Sequence, residues 1–315
     1  MKLVPAVSGA DAIPLPFDIT PHRPLYPFAS HWLKGPGFFY HYLDEGRGEP
    51  VVAVHGNPTW SFYYRKAVQA LCSDHRVIVP DHVGCGLSSR PSEKIFAYTL
   101  AGHVDNLEAL LDCLGLERNV TLMIHDWGGM IGMACACRRP ERIARIVVLN
   151  TWAFLIPPEI KLPWQLSFIR SFPVLPELLV RGGNAFSYLA TFLAVEKQMA
   201  PAVRAGLTAP YNNWENRIAT LRFVQDIPLH PDDRSYPLAK WTDEHLHLLR
   251  GIPMTICWGM KDFVFDEIAL SEWRRRFPEA EVHTFPNGGH YILEDEGEAV
   301  IEVVRSFLAG HPLPE

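Results

Sequence analysis

A chain of 315 residues, 48% of them hydrophobic and 20% charged, has enough apolar material for one large core and is not disordered over most of its length. Lys and Arg number 29 against 35 Asp and Glu, a formal charge of −6 with no long basic run, which argues against a nucleic-acid partner. No apolar run reaches the roughly 18 residues of a spanning helix, and Pro5, Pro14 and Pro16 interrupt the N-terminal segment, so neither a transmembrane helix nor an export signal is predicted.

Residues 1–30 are proline-rich and show no sustained periodicity. An N-terminal arm is expected there, packed on the surface or partly mobile. From Phe38 the pattern changes: FFYHYL reads as a strand, DEGRGEP as a turn and VVAVH as a short apolar strand of the kind buried on both faces. A helix around 61–71 and a strand at HRVIVPD follow. In LAGHVDNLEALLDCLGL, Leu100, Val104, Leu107, Leu111 and Leu114 recur at helical spacing, with Thr99 as a cap before them and Gly115 after. VTLMIH reads as a buried strand, GGMIGMACACRR as a helix and IARIVVLN as a strand. This alternation predicts an α/β fold, a mostly parallel sheet with helices on both faces.

Residues 151–245 break the rhythm with Pro- and Trp-rich pieces that read as several short helices, an inserted helical cap. The core, begun over 31–150, is completed over 246–315 by IPMTICWG as a strand, a helix near Glu267, AEVHTFP as a strand and a final helix, EAVIEVVRSFLAG. Six cysteines without ligand spacing are expected to be reduced core residues of a cytoplasmic protein, and no metal site is predicted.

The chemistry gathers at strand ends. Ile124-His125-Asp126-Trp127-Gly128-Gly129 joins a buried strand to a helix, and its two glycines leave room for a sharp turn that exposes the central side chain at the sheet edge. A carboxylate there is ionised at neutral pH and attacks carbon without a base, although Asp126 also reads as a helix cap. His55-Gly56-Asn57-Pro58 ends an earlier strand, where such a fold has its oxyanion loop. Trp258-Gly259-Met260-Lys261-Asp262 sets a carboxylate after a later strand, and Asn287-Gly288-Gly289-His290 sets an imidazole after the last. Nucleophile, acid, histidine is the chain order of the α/β-hydrolase fold, and four such features in that order favour catalysis over capping.

From about Tyr26 onward the chain resembles the haloalkane dehalogenase family of α/β-hydrolases, through HGNPTWSFYYR, PDHVGCGLSSRP, IHDWGGMIG, WGMKD and GGHYILED. The resemblance implies Asp126 as nucleophile, His290 as base and Asp262 as the acid that orients His290. It also implies Asn57 and Trp127 as side-chain N–H donors to a departing halide or carboxylate, and no metal or organic cofactor. One branch of the family carries its acid as a Glu just after the strand preceding the cap. Here Leu149-Asn150-Thr151 stands there without a carboxylate, which favours Asp262. Asn57 together with the later Asp resembles the third subfamily, which in turn resembles the β-lactone decarboxylases of bacterial long-chain olefin biosynthesis. PWQ at 163–165, AFSYLA near 185, APYNNWENRI at 209–218 and RFVQDIPLHP at 222–231 resemble that branch.

The expected reaction is hydrolysis of a carbon–halogen bond through an alkyl ester on Asp126. The alternative is conversion of a cis-3,4-dialkyl-β-lactone to a cis-olefin and CO2. The expected partner is thus a small apolar haloalkane or β-lactone, with a homo-oligomer or an olefin-biosynthesis multienzyme assembly as a further expectation. Epoxide hydrolysis would need tyrosine acids in the cap, for which Tyr188 and Tyr211 are available; fluoroacetate-type dehalogenation would need Arg where Trp127 stands. A non-catalytic ligand-binding or scaffold role is the rival from another class. Among the cap tryptophans Trp164 is the candidate for a substrate slot, and Arg274-Arg275-Arg276 reads as a solvated helix face.

Overall fold

The computed structural model describes residues 3–5, 13–157, 160–172 and 174–313, so part of the expected arm lies outside the described residues. In chain order the strands are β1 (Val4–Pro5), β2 (His31–Gly35), β3 (Phe38–Glu45), β4 (Glu49–Val54), β5 (His75–Pro80), β6 (Val120–Asp126), β7 (Ile143–Thr151), β8 (Met254–Gly259) and β9 (Glu281–Phe285). They form one sheet in the order β1-β2-β3-β5-β4-β6-β7-β8-β9. The pairs β1–β2, β2–β3 and β3–β5 are antiparallel, and every pair from β5 to β9 is parallel. The central strands are apolar runs because both faces are covered: every residue of β6 and β8 is buried.

The helices are α1 (Arg65–Leu71), α2 (Leu100–Cys113), α3 (Trp127–Arg138), α4 (Trp164–Ser171), α5 (Ala185–Leu193), α6 (Pro201–Thr208), α7 (Ile218–Gln225), α8 (Tyr236–His245), α9 (Glu267–Arg276), α10 (Ile292–Asp295) and α11 (Gly297–Gly310). Thr99 is extended and its hydroxyl accepts the Gly102 N–H at 3.4 Å, so α2 starts where its cap predicts. Leu100, Val104, Leu107 and Leu111 are its buried stripe. Helix α3 is buried from Trp127 to Cys137, which explains a composition of small and apolar residues without a polar face.

Helices α4 to α8 lie between β7 and β8 in the chain and are tied to the loops beyond the sheet. The Trp60 indole donates to Gly206 O at 3.0 Å, Tyr211 Oη to Thr59 O at 3.1 Å and the Tyr291 N–H to Ala194 O at 2.7 Å. No helix among the described residues is long and apolar enough to cross a membrane, and all six cysteines are unpaired.

Three details depart from the sequence expectations. Strand β2 was not foreseen, because only Leu33 of its five residues is buried and the alternation is weak. Phe17, Ile19, Tyr26 and Phe28 belong to the main core rather than lying on it, with Tyr26 and Phe17 against Trp60 at ring distances of 5.0 and 5.6 Å. Arg276 is not a solvated side chain: it lies over the Phe154 ring at 3.9 Å and pairs with Asp243 at 2.9 Å.

Candidate active site

The parallel strands end at one edge of the sheet, and the loops that leave them bring four distant segments together. Asp126 closes β6 with φ 51° and ψ −125°, a strained conformation for a residue with a side chain. Two close approaches fix it. A Cβ on Gly128 would lie 1.9 Å from Val54 O, and one on Gly56 would lie 2.0 Å from Asp126 Oδ1, so the helix start and the loop after β4 can approach only as glycine. The Thr151 hydroxyl bonds the Asp126 carbonyl from the neighbouring strand. Asp126 makes no side-chain cap to α3, which removes the capping explanation for it.

The Asp126 carboxylate instead accepts two backbone N–H groups. Asn57 donates to Oδ1 at 2.6 Å, and Trp127 donates as well. Oδ2 faces His290 Nε2 at 3.6 Å. Burial pushes the Asp126 carboxyl above its usual pKa, opposed by His290 and by these two donors.

His290 Nδ1 lies 2.8 Å from Asp262 Oδ2. Because the carboxylate only accepts, Nδ1 carries a proton, and Nε2 is the ring nitrogen that faces Asp126. Burial pulls the imidazole pKa down, but Asp262, through its charge and its hydrogen bond, and Asp126 hold it above the ordinary value. Asp262 is itself held: Oδ1 accepts the N–H groups of Val264 at 2.7 Å and Phe265 at 3.1 Å, and Oδ2 accepts Asn150 Nδ2 at 3.0 Å.

Asn150 was read in sequence only as a missing acid. It lies one residue before the end of β7 with φ 24° and, besides supporting Asp262, exchanges hydrogen bonds with the Gly259 backbone at 2.7 and 3.0 Å. Asp295 was also missed, whereas His125, at a strand end, organises a loop as its position there suggests. His125 Nε2 donates to the His290 carbonyl at 2.8 Å, and burial holds its ring well below the usual pKa and therefore neutral. The Asp295 carboxylate accepts Gly289 N–H at 2.8 Å, Lys197 N–H at 2.9 Å and Glu196 N–H at 3.1 Å. Each is a polar residue beside a recognisable motif, but only the contact made across the fold reveals its use.

Asp126, Asn57, Trp127 and His290 lie at the wall of a cavity of about 570 Å³, lined otherwise mainly by apolar side chains such as Phe154, Phe168, Ile169 and Phe265. That is ample for a small apolar substrate. Trp164 also lines it, at 75% exposure, as does the buried Trp152, which the sequence did not distinguish from a packing residue. The Trp127 indole packs on Phe223 at 5.1 Å, and its N–H has no acceptor among the described residues. Asn57 Nδ2 donates one hydrogen to Thr220 O at 3.1 Å, leaving the other free, while Oδ1 is buried without a partner. Tyr211 is bonded to Thr59 O outside the cavity lining, and Tyr188 is exposed outside it too, so neither stands where an epoxide acid would be needed.

The arrangement can therefore attack carbon with a desolvated carboxylate, receive negative charge at fixed N–H donors and activate water at an oriented imidazole. Compared with known proteins, residues 49–297 match the α/β-hydrolase fold family. A cis-3-alkyl-4-alkyloxetan-2-one decarboxylase from Shewanella oneidensis is 52% identical over 90% of this chain and 89% of its own length. Haloalkane dehalogenase 2 from Mycobacterium tuberculosis is 34% identical over 91% of this chain and 97% of its own. The crystal structure of haloalkane dehalogenase DbeA from Bradyrhizobium elkani superimposes with a TM-score of 0.81 at 23% identity, covering 90% of this chain and 98% of that one.

Proposed function

Because the chain belongs to the α/β-hydrolase family, in the group that includes haloalkane dehalogenases and cis-3-alkyl-4-alkyloxetan-2-one decarboxylases, we propose that it is a β-lactone decarboxylase acting through Asp126. The observation that carries this reading is the 52% identity to a decarboxylase over nine-tenths of the chain, against 34% to a dehalogenase over the same span. Among the two reactions weighed from sequence, the second now leads.

Asp126 Oδ2, the oxygen not tied to the Asn57 N–H, attacks the ring carbon that bears oxygen, from the side opposite that oxygen. The new C–O bond forms as the ring C–O bond breaks, and the ring oxygen becomes part of a tethered carboxylate whose charge falls to the Trp127 indole and Asn57 amide donors. The breaking C–CO2 bond then stands anti to the new ester bond. Its electron pair forms the alkene, CO2 departs and Asp126 is expelled as carboxylate. One inversion followed by anti elimination keeps the alkyl groups cis, and no water is consumed.

Carbon–halogen hydrolysis is the second reading, favoured by the His290–Asp262 pair. Halide leaves toward the same donors, and His290 takes a proton from water that attacks the ester. A cytoplasmic location and a place beside lactone-forming enzymes in one assembly belong to the first reading.

The test is to offer the enzyme a cis-3,4-dialkyl-β-lactone and a 1-haloalkane side by side, measuring olefin and halide, with His290→Ala in parallel. Olefin formation faster than halide release, persisting at a measurable rate in His290→Ala, is expected. Halide release alone would reverse the order of the readings.

A further inference from the structure

Ten of the sixteen exposed large apolar side chains among the described residues fall between positions 164 and 193. Exposed apolar area concentrated in one segment is unusual for a monomer and marks an interaction surface. Trp164, Leu179, Leu189, Leu193 and, from the loop after β8, Phe263 are each at least 44% exposed and also line the cavity, so the exposed face runs into the cavity mouth. Phe172, Val174, Leu175, Leu178, Tyr188 and Phe192 are exposed outside the lining, so the face extends beyond what substrate entry needs.

We propose that this face is a docking surface for the lipid–water interface of a zwitterionic phospholipid bilayer. Helix α5 contributes nine residues without a formal charge. The charged groups of the segment are already neutralised within the chain: Arg170 pairs with Asp233, Arg181 with Glu177, and Glu177 also with Arg222. A protein partner is specified by polar groups set around an apolar centre, whereas a bilayer surface asks only for apolar area and amphipathic rings at the headgroup level. Trp164 at 75% and Tyr188 at 55% exposure are such rings. The net charge of −6 favours a neutral headgroup over an anionic one. The surface goes beyond the β-lactone reading and does not need it; if that reading holds, long-chain substrate and olefin product pass between bilayer and cavity without crossing water.

The test is cosedimentation of the full chain with phosphatidylcholine vesicles, comparing wild type with a Leu175→Glu/Leu178→Glu variant, two positions outside the cavity lining. Wild type should pellet with vesicles, the variant should partition at least about ten-fold less, and added phosphatidylserine should weaken binding. Turnover of a short, water-soluble substrate should be equal in both, which separates loss of docking from misfolding. Wild type left in the supernatant, or a variant that binds equally well, overturns the proposal. So does a concentration-dependent dimer that the variant abolishes, since the face would then belong to a second copy. Vesicle binding needs no turnover, so its outcome is independent of whether the reaction has been assigned correctly.

Discussion

In the proposed reaction Asp126 must be bare enough to attack and sufficiently held to survive burial. Two backbone N–H groups on its carboxylate satisfy both demands, leaving Oδ2 toward His290. Trp127 is the cleanest probe of the leaving-group pocket. Trp127→Phe keeps an aromatic ring against Phe223 while removing the N–H together with one ring of the indole, so the rate of the first step should fall by roughly two orders of magnitude, as loss of one such donor costs about 3 kcal/mol. Single-turnover kinetics on either substrate checks this. Asp262→Asn tests the histidine. For hydrolysis His290 must be neutral, and its pKa is raised above 6.5 largely by Asp262, so activity should fall as pH drops through that raised value. In Asp262→Asn the acid limb should move to lower pH while the plateau drops by orders of magnitude, a pH–rate profile that an intact assignment requires. That these residues come together was legible because each follows a strand in the right chain order. Asn150 was not, since an amide that supports an acid carries no motif of its own.

At the scale of elements, the loop that carries His290 is joined to the end of α5 by one carboxylate. Asp295 faces three N–H donors, one beside His290 and two at 196–197, and the Tyr291 N–H adds a bond to Ala194 O. An amide in that position would turn an NH2 group toward donors. Asp295→Asn should therefore destabilise the protein by about 1–3 kcal/mol. It should also raise KM for long-chain substrates more than for short ones, because Leu193 and Ala194 line the cavity. Thermal unfolding together with a chain-length series measures both effects; a uniform loss at all lengths would leave only a structural role. The strand–helix alternation was readable from periodicity, whereas β2 and the buried aromatics of the arm were not. Their burial depends on partners such as Trp60 that lie far along the chain.

For the whole molecule, the helices between β7 and β8 convert a polar site at a sheet edge into a mainly apolar cavity with an apolar mouth. Composition announced an insertion, and the resemblance of its segments pointed to the decarboxylase branch. The cavity itself could not be read, because its walls come from segments brought together only by folding. As proposed, dehalogenation and decarboxylation would share the nucleophile and the leaving-group donors and differ in whether water attacks the ester. Turnover of a cis-3,4-dialkyl-β-lactone in water enriched in heavy oxygen, followed by mass analysis of the Asp126 peptide, reads that difference. The account predicts equal amounts of olefin and CO2 with no label in Asp126; label in Asp126, or a β-hydroxy acid in place of the olefin, would contradict it.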